Sequence, residues 1–199
     1  MKRLPPFLFA AALAVVLLTG CDRLMSVEQR LDRAQSAFDA GHDSAAMADV
    51  KTVLEREPAN AAGRILLARL TLRLGDATTA RKELERAVQA GVDASTASEL
   101  DQSILLAQGR FADALAAAQK EAGDQSTRRQ LVIVEALMGL GRAEEARKAL
   151  DAALAAAPQD REVQLADARW AWASGSIKEA GEALDRLLGP DNPRALEAR

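Results

Sequence analysis

Five glycines recur at nearly constant intervals along the chain, and this period constrains the fold more than any other feature. They are Gly41, Gly75, Gly109, Gly141 and Gly175, so the successive spacings are 34, 34, 32 and 34 residues. An alanine stands five positions after each of them: Ala46, Ala80, Ala114, Ala146 and Ala180. A period of this length is typical of arrays in which every repeat is one small supersecondary unit. The sequence therefore predicts five copies of one unit.

Each unit reads as two amphipathic helices joined by a turn. The glycine ends the first helix, where a left-handed cap requires no Cβ, and the alanine marks a close approach of the second helix. Pro58 and Pro158 stop the second helix in the first and fourth units. In the segment 79–88 we expect an apolar stripe on one face and outward-facing charges on the other. The stripe is Ala80, Leu84, Ala87 and Val88, and the outward charges are Lys82 and Glu83.

The spacing and the placement of glycine, alanine and proline resemble those of tetratricopeptide repeats. This resemblance implies an all-α fold, a TPR α-solenoid of about five helix-turn-helix repeats after a signal peptide. An aromatic content of 3% without tyrosine also argues against extensive sheet. The predicted repeats are 27–60, 61–94, 95–126, 127–160 and 161–194. Residues 195–199 read as the start of a further repeat, so we expect either a longer protein or a fifth repeat that docks on another molecule.

The N-terminus has the pattern of a secretory signal. Lys2 and Arg3 precede an apolar run from Phe7 to Leu18, which is too short for a membrane-spanning helix. The sequence 18–21, Leu-Thr-Gly-Cys, resembles the lipobox of bacterial lipoproteins. This resemblance implies a signal peptide at 1–20 and a lipidated cysteine and tether at 21–26, with the lipid (palmitate among its acyl chains) on Cys21. A cleaved signal with an incidental cysteine and an uncleaved anchor are the alternatives.

The residue after this cysteine bears on localisation. In enterobacterial lipoproteins, an aspartate at the position of Asp22 resembles an inner-membrane retention signal. We expect a protein on the periplasmic side of a Gram-negative envelope, in the inner membrane by this signal, with the outer membrane as the alternative.

The repeats also resemble a more specific family. The segment 72–93, LRLGDATTARKELERAVQAGVD, followed by LLAQGRF at 105–111, is similar to the opening repeats of PEP-CTERM system TPR-repeat lipoproteins. This resemblance implies a scaffold that binds protein partners in exopolysaccharide assembly or PEP-CTERM protein sorting. A polymer-binding accessory module of exopolysaccharide synthesis or export is the alternative, and a purely structural oligomeriser is a third hypothesis.

The residue inventory argues against catalysis, metal binding and nucleic-acid binding. The formal charge of −3 provides no basic excess for phosphates. One histidine, His42, and one cysteine cannot form a zinc site by themselves. Glu144 and Glu145 suit the first turn of a helix, where negative charge complements the helix dipole. We expect no enzyme activity and no cofactor apart from the covalent lipid.

The candidate binding groove follows from the repeat register. Fixed positions of each first helix form three rows. The rows are Leu31, Ile65, Glu99, Leu131 and Leu165; Gln35, Arg69, Ser103, Glu135 and Arg169; and Phe38, Leu72, Leu106, Met138 and Trp172. This lining suits a protein or peptide whose carboxylates pair with Arg69 and Arg169. The same positions could instead be ordinary core and solvated residues.

Aromatic side chains help to separate protein from polysaccharide partners. Sugar sites use aromatic platforms, and only Phe38 and Trp172 in the three rows are aromatic, so polysaccharide is the less favoured partner. Trp170 and Trp172 lie two apart on one predicted helix and point in different directions, so we expect one of them to be packed between repeats.

Overall fold

The computed structural model describes residues 25–120 and 126–188. The predicted signal peptide, Cys21, Asp22 and the possible further repeat at 195–199 lie outside these residues. The chain divides into two compact units, 1–97 and 98–199, and each is described by itself.

The described residues form ten α-helices and no strand, as the period predicts. In the first unit these are α1 (Val27–Asp39), α2 (Asp43–Arg56), α3 (Ala61–Arg73) and α4 (Ala77–Gln89). Helix α5 (Ala94–Ala107) begins in the first unit and ends in the second. The second unit continues with α6 (Phe111–Lys120), α7 (Thr127–Gly139), α8 (Ala143–Ala156), α9 (Arg161–Ala173) and α10 (Ile177–Leu188).

The repeated glycines end the first helix of each pair, as predicted. Their φ angles lie between 70° and 86°, in the left-handed region that disfavours a Cβ. After Gly41, the amide of His42 donates to the carbonyl oxygen of Ala37 at 2.8 Å, which closes the end of α1. The amide of Asp76 donates in the same way to Thr71 after Gly75. These bonds satisfy terminal carbonyls and redirect the chain into the second helix.

The repeated alanines are buried inside the helix pairs. Ala46, Ala80, Ala114 and Ala146 are fully buried, and Ala180 is 2% exposed. Val50, Leu84 and Leu150, nine residues after their glycines, are buried as well. The prediction that these alanines face the interior of the helix pairs is therefore confirmed.

Side-chain caps begin most of the first helices. The carboxamide oxygen of Asn60 accepts from the Gly63 amide at 2.8 Å, and Ser26 and Gln29 form a reciprocal capping box at α1. The Asp160 carboxylate accepts from the amides of Glu162 and Val163 at the start of α9, and the Ser126 hydroxyl accepts from the Arg129 amide at the start of α7. Short polar side chains satisfy the amides that have no partner within the helix. The last residue of a repeat, such as Asn60, Ser126 or Asp160, therefore caps the first helix of the following repeat.

Each unit has its own apolar core. In the first unit, Ala34 of α1, Val50 and Leu54 of α2, and Leu66 and Leu70 of α3 pack together. In the second unit the core joins α5 to α8; its buried members are Leu105, Ala114, Leu115, Ala136, Leu137 and Ala146. Trp170 packs partly buried against this second cluster, whereas Trp172 is 68% exposed. The expectation that one tryptophan is packed is therefore confirmed.

The predicted faces of α4 are wrong at two positions, one in the outward set and one in the apolar stripe. Glu83 is buried at 5% exposure, and Val88 is 54% exposed. Glu83 is buried because Arg64 of α3 and Arg86 of its own helix both donate to its carboxylate at 2.6 Å. A charge that acquires two guanidinium partners is stabilised inside the helix pair.

Candidate functional site

A groove with a volume of about 660 Å³ opens on the second unit, between the first helices of three successive repeats. Helices α5, α7 and α9 supply most of its walls, and α6 adds Phe111. The lining residues are Ser103, Leu106, Ala107, Phe111, Arg128, Leu131, Val132, Val134, Glu135, Met138, Gly139, Glu162, Leu165, Ala166 and Arg169. This volume is in the range of ligand-binding clefts.

Seven predicted groove positions meet at this groove. They are Ser103, Leu106, Leu131, Glu135, Met138, Leu165 and Arg169. Residues three, four and seven apart share one face of a helix, so Leu131, Glu135 and Met138 form a continuous line along α7. Trp172 lies on α9 but does not line the groove.

Phe111 and Gly139, which both line the groove, make a close approach. A Cβ added to Gly139 would lie 2.4 Å from the Phe111 ring, closer than any packed pair of carbons. Phe111 is half-buried and belongs to the core cluster of the second unit. The missing side chain therefore lets the first turn of α6 pack against the last turn of α7.

The polar residues of the groove differ in whether they have partners. The Arg128 guanidinium donates to the Ser103 hydroxyl at 2.9 Å and lies 3.8 Å from the Glu99 carboxylate. Glu135, Glu162 and Arg169 are exposed, and none of their side chains forms a hydrogen bond or ion pair with another described residue. These three charges are available to a ligand.

The predicted positions of the first unit have other surroundings. Leu31 and Phe38 pack against the first core, and Ile65 is 6% exposed, so these three contribute to packing. Gln35 donates to Asp39 on its own helix at 2.8 Å. Arg69 and Leu72 are half-buried.

A neighbouring arginine covers one of these side chains. The Arg73 guanidinium lies 3.6 Å from the centre of the Phe38 ring and donates to the Phe38 carbonyl oxygen. The Phe38 ring is therefore partly occupied by a cation–π contact.

Eight of the fifteen residues that line the groove were not predicted from the sequence, among them Arg128, Glu162, Phe111 and Gly139. Arg128 and Glu162 occupy the second position of their repeats, and their register could have revealed them. Phe111 and Gly139 could not be recognised, because their contact depends on how closely two helices pack.

No group of His, Cys, Asp or Glu among residues 25–120 and 126–188 could hold a metal ion. None of the helices described has the length and apolar character required to cross a bilayer.

Comparison with protein families identifies repeats over most of the chain. Two family models, both described as tetratricopeptide repeat, match residues 31–98 and 67–127 in one case and 105–170 in the other. No curated protein matches the chain in sequence.

Solved structures with similar folds include a thermophilic TPR protein of Thermus thermophilus. It is 18% identical, with 87% of this chain and 96% of that chain covered and a TM-score of 0.71. YrrB, a TPR protein with an unusual peptide-binding site, is 18% identical over 87% and 91% of the two chains, with a TM-score of 0.53. PilW, a type IV pilus biogenesis factor, is 18% identical over 81% and 76%, with a TM-score of 0.63.

Proposed function

Because this chain belongs to the tetratricopeptide-repeat family, we propose that it is a non-enzymatic scaffold that binds a protein segment in the groove of its second unit. The groove itself carries the proposal. It is formed by three successive repeats, its lining includes several large aliphatic side chains, and its polar residues include charges without partners among the described residues. A surface of this kind suits a peptide, which offers apolar side chains at intervals along a polar backbone.

The likeness to YrrB supports a peptide ligand, since that protein has a peptide-binding site. The likeness to PilW, a pilus biogenesis factor, supports a role in assembling a surface structure. Both likenesses are of fold, so neither assigns a partner.

We propose further that the protein acts at the bacterial envelope, held by a lipid on Cys21. The lipobox at 18–21 and the apolar run before it support this proposal. Several acyl chains anchor a protein far more firmly than one chain does. Asp22 favours the periplasmic face of the inner membrane. The similarity of the signal, lipobox and repeats to PEP-CTERM system lipoproteins supports a partner in exopolysaccharide assembly or PEP-CTERM protein sorting.

Site-specific photocrosslinking tests the scaffold. A photoreactive amino acid replaces Leu165 in the groove or, as the control, Ala152, which is exposed on α8. We expect one envelope protein to crosslink at position 165 and not at position 152. Deleting the gene for that protein should reproduce the surface-polymer defect of deleting the scaffold. Equal crosslinking at both positions, or none, would contradict the proposal.

Membrane partition tests the anchor. Cys21→Ser should release the protein from the membrane fraction, and Cys21→Ser fused to an unrelated membrane anchor should restore partition and partner crosslinking. A Cys21→Ser protein that stays in the membrane would show that lipidation is not the anchor.

A further inference from the structure

The acidic residues beside the groove occupy positions that the preceding repeat fills with a bonded pair. Arg128 is at the second position of the fourth repeat, and Ser103 is at the ninth position of the third, and their side chains are 2.9 Å apart. One repeat later, the same two positions hold Glu162 and Glu135. By the repeat register, two carboxylates therefore occupy the positions that correspond, one repeat later, to the hydrogen-bonded arginine and serine, and both line the groove.

These two carboxylates have no counter-charge among the described residues. Arg128 is engaged by Ser103 and Glu99, so it does not neutralise them. Arg169 lies in the ninth position of the fifth repeat and also lines the groove, but its side chain forms no hydrogen bond or ion pair with either carboxylate. The charged groups of the groove without partners are thus two carboxylates and one guanidinium, and their net charge is negative. The whole chain, with 29 acidic and 26 basic residues, has the same sign.

The lining of the groove also contains four large aliphatic side chains. They are Leu106, Leu131, Met138 and Leu165, and the flexible thioether of Met138 can adapt to side chains of different shape. An occupant therefore presents an apolar side chain to these residues and a positive charge to the two carboxylates.

We propose that the groove selects a basic, aliphatic peptide segment, whose Lys or Arg side chain binds between Glu135 and Glu162 while its Leu-like side chains pack against the aliphatic lining. This inference rests on the proposed function, because it names the partner class of the same groove. Opposite charges at a solvent-accessible site add modest affinity and a dependence on ionic strength.

Three pools of random 12-residue peptides test the proposal: Leu with Lys, Leu with Glu, and Leu with Gln. Fluorescence anisotropy with the full chain in detergent measures their binding. We expect the Leu–Lys pool to bind most tightly. Glu135→Gln together with Glu162→Gln should weaken that pool about fivefold to tenfold. Arg169→Gln should leave the affinity unchanged or increase it.

A matched control removes two carboxylates elsewhere. Glu144→Gln with Glu179→Gln makes the same change in net charge in the first turns of α8 and α10, outside the groove. We expect this control to bind the Leu–Lys pool as the wild type does. Tighter binding of the Leu–Glu pool, or a loss of binding in Arg169→Gln, would overturn the proposal.

A groove variant distinguishes failure of this inference from failure of the proposed function. Leu165→Arg should abolish binding of the Leu–Lys pool, and circular dichroism should show its helices retained. If Leu165→Arg abolishes binding but Glu135→Gln with Glu162→Gln binds the Leu–Lys pool as tightly as the wild type, only the inference about charge is wrong. If no pool binds, or if binding persists in Leu165→Arg, the groove is not a peptide site and both proposals fail.

Discussion

The Arg64 guanidinium donates to the buried Glu83 carboxylate at 2.6 Å and thereby joins the two helices of the second repeat. Arg30 and Asp49 form the corresponding pair in the first repeat at 2.9 Å. The fifth repeat holds Gln164 and Ala183 at the same positions, where Gln164 donates to the Pro158 carbonyl oxygen, as Arg64 does to that of Pro58. The same two positions of the repeat therefore hold an ion pair in some repeats and an uncharged pair, glutamine and alanine, in another.

Removing one partner of this pair should be costly, and replacing both should not. We expect Glu83→Ala to lower the free energy of unfolding by about 2 to 3 kcal/mol, because Arg64 then remains largely buried without its carboxylate and keeps only its bonds to the Pro58 carbonyl oxygen. The double variant Arg64→Gln with Glu83→Ala copies the fifth repeat and should recover most of this loss. Chemical denaturation measures both. A double variant no more stable than Glu83→Ala would contradict this interpretation.

Gly139 should not tolerate even one methyl group. Gly139→Ala would bring a Cβ within 2.4 Å of the Phe111 ring, and we expect the free energy of unfolding to fall by about 1 to 3 kcal/mol through overpacking. Gly181→Ala is the matched control, since a Cβ there meets nothing within 4 Å. This control should instead stabilise the helix by roughly 0.5 to 1 kcal/mol. Phe111→Leu should relieve the clash, and a Gly139→Ala protein as stable as the wild type would contradict the close approach.

The repeated alanines should reject larger side chains. Ala146 is fully buried between helices, so we expect Ala146→Leu to cost roughly 1 to 3 kcal/mol. Ala152→Leu on the exposed face of the same helix should change the free energy of unfolding by less than about 0.5 kcal/mol. Thermal and urea denaturation of the two variants provide the comparison, and equal stability would show the helix register to be wrong.

Asp49 should contribute an acid-sensitive part of the stability. Hydrogen bonds from Arg33, at 2.6 Å and 2.5 Å, lower the pKa of its carboxyl below 3.8, with Arg30 assisting and burial opposing. A lowered pKa in the folded state stabilises the protein above the unfolded value, and this stabilisation is lost as pH falls through the folded value. Urea denaturation from pH 7 down to pH 2 should show this loss in the wild type and not in Asp49→Asn. Stability that falls as steeply with acid in Asp49→Asn as in the wild type would contradict this assignment.

Asp93 offers a direct titration. Its carboxylate accepts from the Thr96 amide at 2.8 Å and from the Ser95 hydroxyl, and these bonds hold its pKa at about 2. An NMR titration of the side-chain carboxyl should give that value, and Thr96→Pro should raise the pKa by removing the amide donor. A midpoint near 3.8 in the wild type would contradict the capping geometry.

The fold was largely predictable because its information is local and repeated. Gly41 and its equivalents must adopt positive φ, and Ala46 and its equivalents must fit between helices, so residue type reveals position. The face of Glu83 was not predictable from its own helix, because its burial depends on Arg64, nineteen residues earlier in the chain.

The groove was likewise predictable only in part. The repeat register was sufficient to place Leu131, Glu135, Met138 and Leu165 on first helices, since positions three, four and seven apart share a face. It could not show that the second unit has an open groove while Ile65 in the first unit is buried. Burial of that kind is set by the neighbouring helix.

By itself, the sequence determined the repeat, the helix pairs and the positions of the turns, because backbone conformation depends on residues close together in the chain. Only the tertiary structure decided which charges are paired, how closely Phe111 approaches Gly139, and that Glu135, Glu162 and Arg169 lack partners among the described residues. Those properties depend on distances between helices, and the amino-acid order of a single helix does not specify them.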